Sequence, residues 1–159
     1  MRIIIAPDLS TQADVQAEIA DTLFRTQPAG IATIGLGANA QTATVVDQQG
    51  FVQTVQWEYP TIVPVEYITT LLVDLSVGPL TSSEAEDLAI EALLAYTEGL
   101  GVGVDVTAAD VICALRDAVP GLIAATSLTI NGSSAGFLVI NFNEVASFDV
   151  GTVVTITTA

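Results

Sequence analysis

The closing segment Ala135–Thr158, AGFLVINFNEVASFDVGTVVTITT, does most to limit what this chain can become. Its side chains alternate in the manner of paired strands, which bury one face and expose the other. It contains no Lys, Arg or His and no recognisable catalytic group. A patterned sheet without chemistry is expected to be a part for assembly and to carry no reaction.

The rest of the chain reads as helices and hairpins placed before such strands. RIIIAP is expected to be a short buried strand. DLSTQADVQAEIADTLFRTQPAG is expected to be a helix capped by Ser10 or Thr11, with Asp14 in its first turn. Val15, Ile19 and Leu23 form its apolar stripe, and Pro28 and Gly30 end it. NAQTATVVDQQGFVQTVQWEYP reads as a hairpin turning at Gly50. Thr42, Thr44 and Val46 share one face of it, and Val52, Val55, Trp57 and Tyr59 continue beyond the turn. VPVEYITTLLVDL reads as a long strand with Val65, Tyr67, Thr69 and Leu71 on one side.

After the loop SVGPL comes the clearest helix, TSSEAEDLAIEALLAYTEGLG. Ser83 and Glu86 have the spacing of a capping box, Leu88, Ala92, Ala95 and Tyr96 share a side with Leu93 and Leu94 beside them, and Gly99 stops the helix. TAADVICALRDAVPG is a second helix, capped by Thr107 with Asp110. Val111, Ile112, Leu115 and Ala118 are expected to face the core. AATSLTI, FLVINF, EVASFD and TVVTITT are the remaining strands, with NGSSAG as a loop. The expected fold is α+β: two small units in series, residues 1–75 and 76–159, each a helix followed by antiparallel strands.

At 159 residues the chain can bury a core without staples. Its 18 acidic residues face only Arg2, Arg25 and Arg116, for a net charge of −15. Three scattered cations cannot build a phosphate-binding patch, so nucleic acid and anionic membranes are excluded as partners. Only 13% of residues are charged, whereas 51% are apolar and 19 are Thr. A surface of that kind is easier to bury against protein than one covered in Lys and Glu, and composition alone fits an acidic soluble protein from an unusual environment equally well. No stretch is apolar enough for a transmembrane helix, and the apolar start stops at Pro7-Asp8, short of a signal peptide. A soluble chain without an export signal of its own is expected.

Motifs that carry chemistry fail one by one. Gly132–Gly136, GSSAG, matches G-x-S-x-G with Ser134 at the nucleophile position, but a strand follows the turn and no His exists as base. Asn131-Gly132-Ser133 is a glycosylation sequon that reads better as a turn. Gly99–Gly103, GLGVG, follows a helix and lacks dinucleotide spacing. Cys113 is expected to be a buried inert thiol, with no His to activate it. No catalytic residue, metal ligand or cofactor site is assigned. Zinc lacks ligands, and no EF-hand loop occurs. Trp57 and Tyr59, two apart on one strand face, suit a core or a protein interface better than a ligand platform.

The order of several segments resembles the C-terminal half of the phage baseplate J-like family, the wedge proteins of contractile tails. The carriers are RTQPAGIATIG, VVDQQGFVQTVQWEYPTIVPVEYITTLL, GLGVGVDVTAADVICALRDAVPGLIAATSLTING and INFNEVASFDVGTVVTIT. Together they run along nearly the whole chain. Family members are longer, with a further N-terminal region that engages neighbouring wedge proteins, and they carry more basic residues. The resemblance implies a structural role without catalysis: a virion protein, assembled in the host cytoplasm, that joins copies of itself and other wedge and hub proteins in the ring around the tail hub. Trp57, Tyr59, Phe142, Phe148, Val154 and Ile156 are the expected interface residues. The rival reading is an acidic ligand-binding or adhesion module that depends on carbohydrate or Ca²⁺.

Overall fold

The computed structural model describes residues 13–27, 32–78 and 80–159. The expected first strand, the cap at Ser10 or Thr11 and the stop at Pro28 and Gly30 lie outside them. The fold is α+β. Contacts divide the chain into two units, Met1–Thr61 and Ile62–Ala159.

In the first unit, α1 (Ala13–Thr26) carries an acid in its first turn and Arg25 in its last, the arrangement a helix dipole favours. Its residues Ile19, Leu23 and Phe24 pack on a core of Ala20, Val55, Trp57 and Tyr59. Strands β1 (Ala40–Val46) and β2 (Val52–Glu58) form an antiparallel hairpin, in register from Ala40↔Glu58 to Val46↔Val52. Ala43 and Val45 pack against the core, and Thr42, Thr44 and Val46 form the exposed face of β1. The turn closes through Gly50 N–H donating to Asp47 O at 3.0 Å and Asp47 N–H donating to Phe51 O at 2.9 Å. Gly50 has φ 86°, a conformation side chains resist. The Asp47 carboxylate accepts from the amides of Gln49 and Phe51 at 2.8 and 2.9 Å. The Phe51 amide foremost holds that carboxyl below the usual carboxylate range.

The second unit is built on β4 (Tyr67–Val73), the middle strand of three in the order β6-β4-β9. β6 (Leu122–Ile130) pairs with it antiparallel, and β9 (Val153–Thr158) parallel. Sequence reading assigns this strand to the first unit, in an antiparallel setting. The structure assigns it to the second and moves the division to residue 61. The physical reason is pairing: both edges of β4 are taken by strands from beyond residue 121, so its ladder hydrogen bonds lie in the second unit. Its two neighbours come from the far end of the chain. Strand β3 (Thr61–Val65), carrying Pro64, pairs with β8 (Glu144–Phe148) in a separate two-stranded sheet. Two short strands, β5 (Val106–Thr107) and β7 (Phe137–Leu138), pair antiparallel.

The long strand expected through Glu66 is thus broken in two, and Asn131 holds the break. Its side chain accepts from Glu66 N–H at 2.7 Å and donates to Pro64 O at 3.0 Å, while its own amide donates to Glu66 O at 2.9 Å. Its φ of 49° is a conformation Asn tolerates better than most residues. The sequon asparagine is therefore a structural clasp.

Helix α2 (Ser82–Glu98) is capped by Thr81 and Glu84, two residues earlier than the Ser83–Glu86 pair expected. Glu84 Oε2 accepts from Thr81 N–H at 2.7 Å, and Thr81 Oγ1 accepts from Glu84 N–H at 3.2 Å. Bonding to the Thr81 amide keeps the Glu84 carboxyl below its ordinary range. The buried stripe is Ala85, Ala89, Leu93 and Thr97, not the expected Leu88, Ala92, Ala95 and Tyr96. Alanine at the point of closest approach lets the helix sit near its neighbours, and Leu88, Ile90 and Tyr96 flank it half-buried. Helix α3 (Ala108–Ala118) has the expected Thr107 cap and buries Val111 and Leu115. Cys113 lies two residues from each, on the opposite side of the helix, and is exposed instead of buried. After α3, Gly121 has φ 78°, and a methyl group there would run into the carbonyl of Asp74.

FLVINF is strand only at Phe137–Leu138. Beyond it, Ile140 N–H donates to Asp105 Oδ1 at 2.8 Å and Asn141 N–H to Glu144 Oε2 at 2.9 Å, so side chains take the place of a ladder.

One buried polar pair ties β4 to α2. Tyr67 Oη and Thr97 Oγ1 lie 2.8 Å apart, and Thr97 Oγ1 donates its proton to Leu93 O at 2.8 Å. The Tyr67 hydroxyl is therefore the donor of the pair. Burial pushes its pKa up to about 12. Thr97→Val strands that hydroxyl, and we expect a loss of about 1–3 kcal/mol in denaturant unfolding. Tyr67→Phe leaves Thr97 bonded to Leu93 and costs only about 1 kcal/mol. Because the folded-state pKa is the higher one, the neutral phenol stabilises the fold below the ordinary value of 10.0. That contribution is lost as pH rises from there to about 12, and the Phe variant lacks this part of the decline.

Candidate interaction surface

The second unit's core fixes which residues of its main sheet face out. Directly paired residues on neighbouring strands point to the same side of a sheet. Tyr67, Leu71, Val73 and Val154 point inward and are buried. The opposite face is set by the pairs Ile68↔Val153, Thr70↔Thr155 and Leu72↔Thr157 on one side of β4. On the other side it is set by Ile68↔Thr129, Thr70↔Ser127 and Leu72↔Ala124. None of β4, β6 and β9 contains a charged residue. In a chain with 18 acids, this face carries only aliphatic, alanine and hydroxyl side chains. Ile68 is 44% exposed, Val153 51% and Ile123 50%, so apolar groups lie open to solvent on it.

Threonine stabilises this neutral sheet from within. Thr69 Oγ1 donates to Ser127 O at 2.8 Å, Thr126 Oγ1 to Thr70 O at 3.2 Å, and Thr157 Oγ1 to Leu71 O at 3.0 Å. The hydroxyls thus satisfy strand carbonyls, and the methyl groups remain to pack.

The six expected interface residues do not gather here. Trp57 and Tyr59 are buried in the first unit's core and Val154 in the second's, so none of the three is a surface contact. Phe148 is half-buried against the second core, its ring stacked on Tyr67 at 6.4 Å between centroids. Ile156 is also half-buried against that core. Only Phe142 is open, at 63% exposure, and it lies in the loop before β8. Alternation fixes which residues of a strand share a face, but not which of the two faces meets the core. The outward partners Ile68, Thr70, Val153 and Thr155 were missed. Lack of charge alone does not single them out, since β1 and β3 carry none either.

Other features offer less. In the first unit a cleft of about 580 Å³ lies beside the hairpin tip, with Phe24 and Val46 among its walls. Its one cation, Arg25, is engaged by Asp21 at 2.7 Å. Ser134 lies in a loop that leads into β7, so no strand–turn–helix elbow presents it. Gly99–Gly103 follows α2 and leads to β5, away from any helix start. Among the described residues, no three acidic or thiol side chains are grouped to hold a metal ion. No described helix is long and apolar enough to cross a membrane. Compared with known proteins, the chain matches no family model and no curated protein.

Exposure separates two outcomes for the expected residues. Phe142→Asp should leave the melting transition within about 0.5 kcal/mol of the starting protein. Trp57→Ala should cost about 3–5 kcal/mol and unfold the first unit, read as loss of hydrogen-exchange protection at the amides of β1 and β2.

Proposed function

We propose that this chain is a structural, non-catalytic component of a contractile phage tail baseplate. In that role it acts as a wedge subunit that joins copies of itself and other baseplate proteins in the ring around the tail hub. The observation that carries the reading is the ordered resemblance to the C-terminal half of baseplate J-like proteins. It runs from RTQPAGIATIG to INFNEVASFDVGTVVTIT without a change of order.

Two physical features support it. A chain this acidic has an extended sheet face without charge over β4, β6 and β9, and neutral, half-apolar faces suit lasting subunit contacts. Such contacts need no reactive group, and the sequence holds no His to act as a base and only one Cys. The three Arg residues give no basis for nucleic acid or anionic lipid as partner.

Quantitative mass spectrometry of purified virus particles from the source tests the reading. The expected result is a low fixed copy number in a multiple of six relative to a known tail protein. Absence from particles contradicts it and turns attention to ligand screening of the free protein.

A further inference from the structure

The three-stranded sheet of the second unit has two edges, and they differ. Along the β6 edge the register with β4 slips twice, skipping Thr126 and then Ile123. Bulges of this kind twist an edge and hinder further pairing. Along β9 the register runs without a slip from Ile68↔Val153 to Val73↔Thr158. β9 contains no Lys and no Pro, the other common means of blocking an edge. Among the described residues β4 is its only strand neighbour, so alternate N–H and C=O groups face away from any strand.

We infer that β9 is where a second copy of this chain adds. Two β9 strands pair antiparallel about a two-fold axis and join two three-stranded sheets into one of six.

Charge identifies the occupant. With a net charge of −15, copies of the chain repel one another over most of their surface. Along β4, β6 and β9 there is nothing to repel. The flanking acids Glu66, Asp74 and Asp149 lie in the segments just outside the strands. A basic partner is drawn instead to the acidic helices and turns. A two-fold contact asks only that a strand complement itself, which an unbroken row of alternating donors and acceptors does. The inference rests on the self-association in the reading above and not on the phage role. A dimer absent from particles defeats only that role, whereas a monomer that is present in particles defeats only the β9 pairing.

Sedimentation equilibrium of the whole chain is the test. The expected mass is twice the 16.4 kDa of one copy. The dimer should tighten as salt rises from about 50 to about 500 mM, because screening weakens the repulsion between acidic copies. Thr155→Glu, at an exposed position in the middle of β9, should raise the dissociation constant roughly tenfold or more. Ile123→Glu adds the same charge at the bulged edge and should leave the dimer intact. Thermal melts establish that both variants fold. In the unsubstituted chain, alternate amides of residues 153–158 should exchange more slowly as protein concentration rises. The proposal is overturned by a monomer at about 100 μM in either salt. It is equally overturned by a mass above two copies, by Thr155→Glu dimerising as tightly as the starting chain, by Ile123→Glu breaking the dimer as well, or by β9 amides indifferent to concentration.

Discussion

Strand β4 has to be covered on one face and on both edges at once. Its inward residues Tyr67, Thr69, Leu71 and Val73 are buried, and its middle includes a threonine whose hydroxyl must find a carbonyl. The partners are β6 and β9, both far along the chain, and α2, which reaches Tyr67 through Thr97. Each of these must be in place before β4 is stable, so the second unit forms as a whole. Non-local pairing of this kind makes folding slow relative to a helical bundle.

This requirement also shapes the surface. A strand that pairs on both edges favours β-branched neighbours, and β6 and β9 are rich in Thr, Ile and Val. The side that faces out is therefore neutral. The acids are displaced to turns and helix starts, where several serve the backbone. Asp47 closes the hairpin turn, Glu84 caps α2, and Asp105 and Glu144 bond the segment after β7. Asp74 bonds the hydroxyl and amide of Ser76, which keeps its carboxyl below the usual range. The lopsided charge is thus spread over loops and helices and leaves the β6-β4-β9 face bare, as it does the exposed face of the β1–β2 hairpin.

Much of this was legible in the sequence. Alternation marked β1, β2, β4, β8 and β9, and Gly50 and the Thr107 cap were readable from local chemistry. The burial of Val65, Tyr67, Thr69 and Leu71 followed from period two. What escaped was decided at longer range or by small residues. The partners of β4 depend on tertiary pairing, which local pattern does not encode. The α2 stripe uses Ala85 and Ala89, whose value is close approach and not bulk. The break at Glu66 depends on Asn131, which is remote in sequence. Of the expected interface residues Trp57, Tyr59 and Val154 lie in cores, which for Trp57 and Tyr59 was the other role their strand pattern allowed.

On the function proposed above, the neutral sheet of the second unit is an assembly surface in a virus tail. A cryo-electron microscopy reconstruction of the tail tip from the source virus tests it most directly. The account predicts density for this chain in a ring around the hub, with the face of Ile68, Thr70, Val153 and Thr155 or the β9 edge covered by a neighbouring subunit. A ring without this chain, or one in which that face and edge stand open to solvent, would contradict the account.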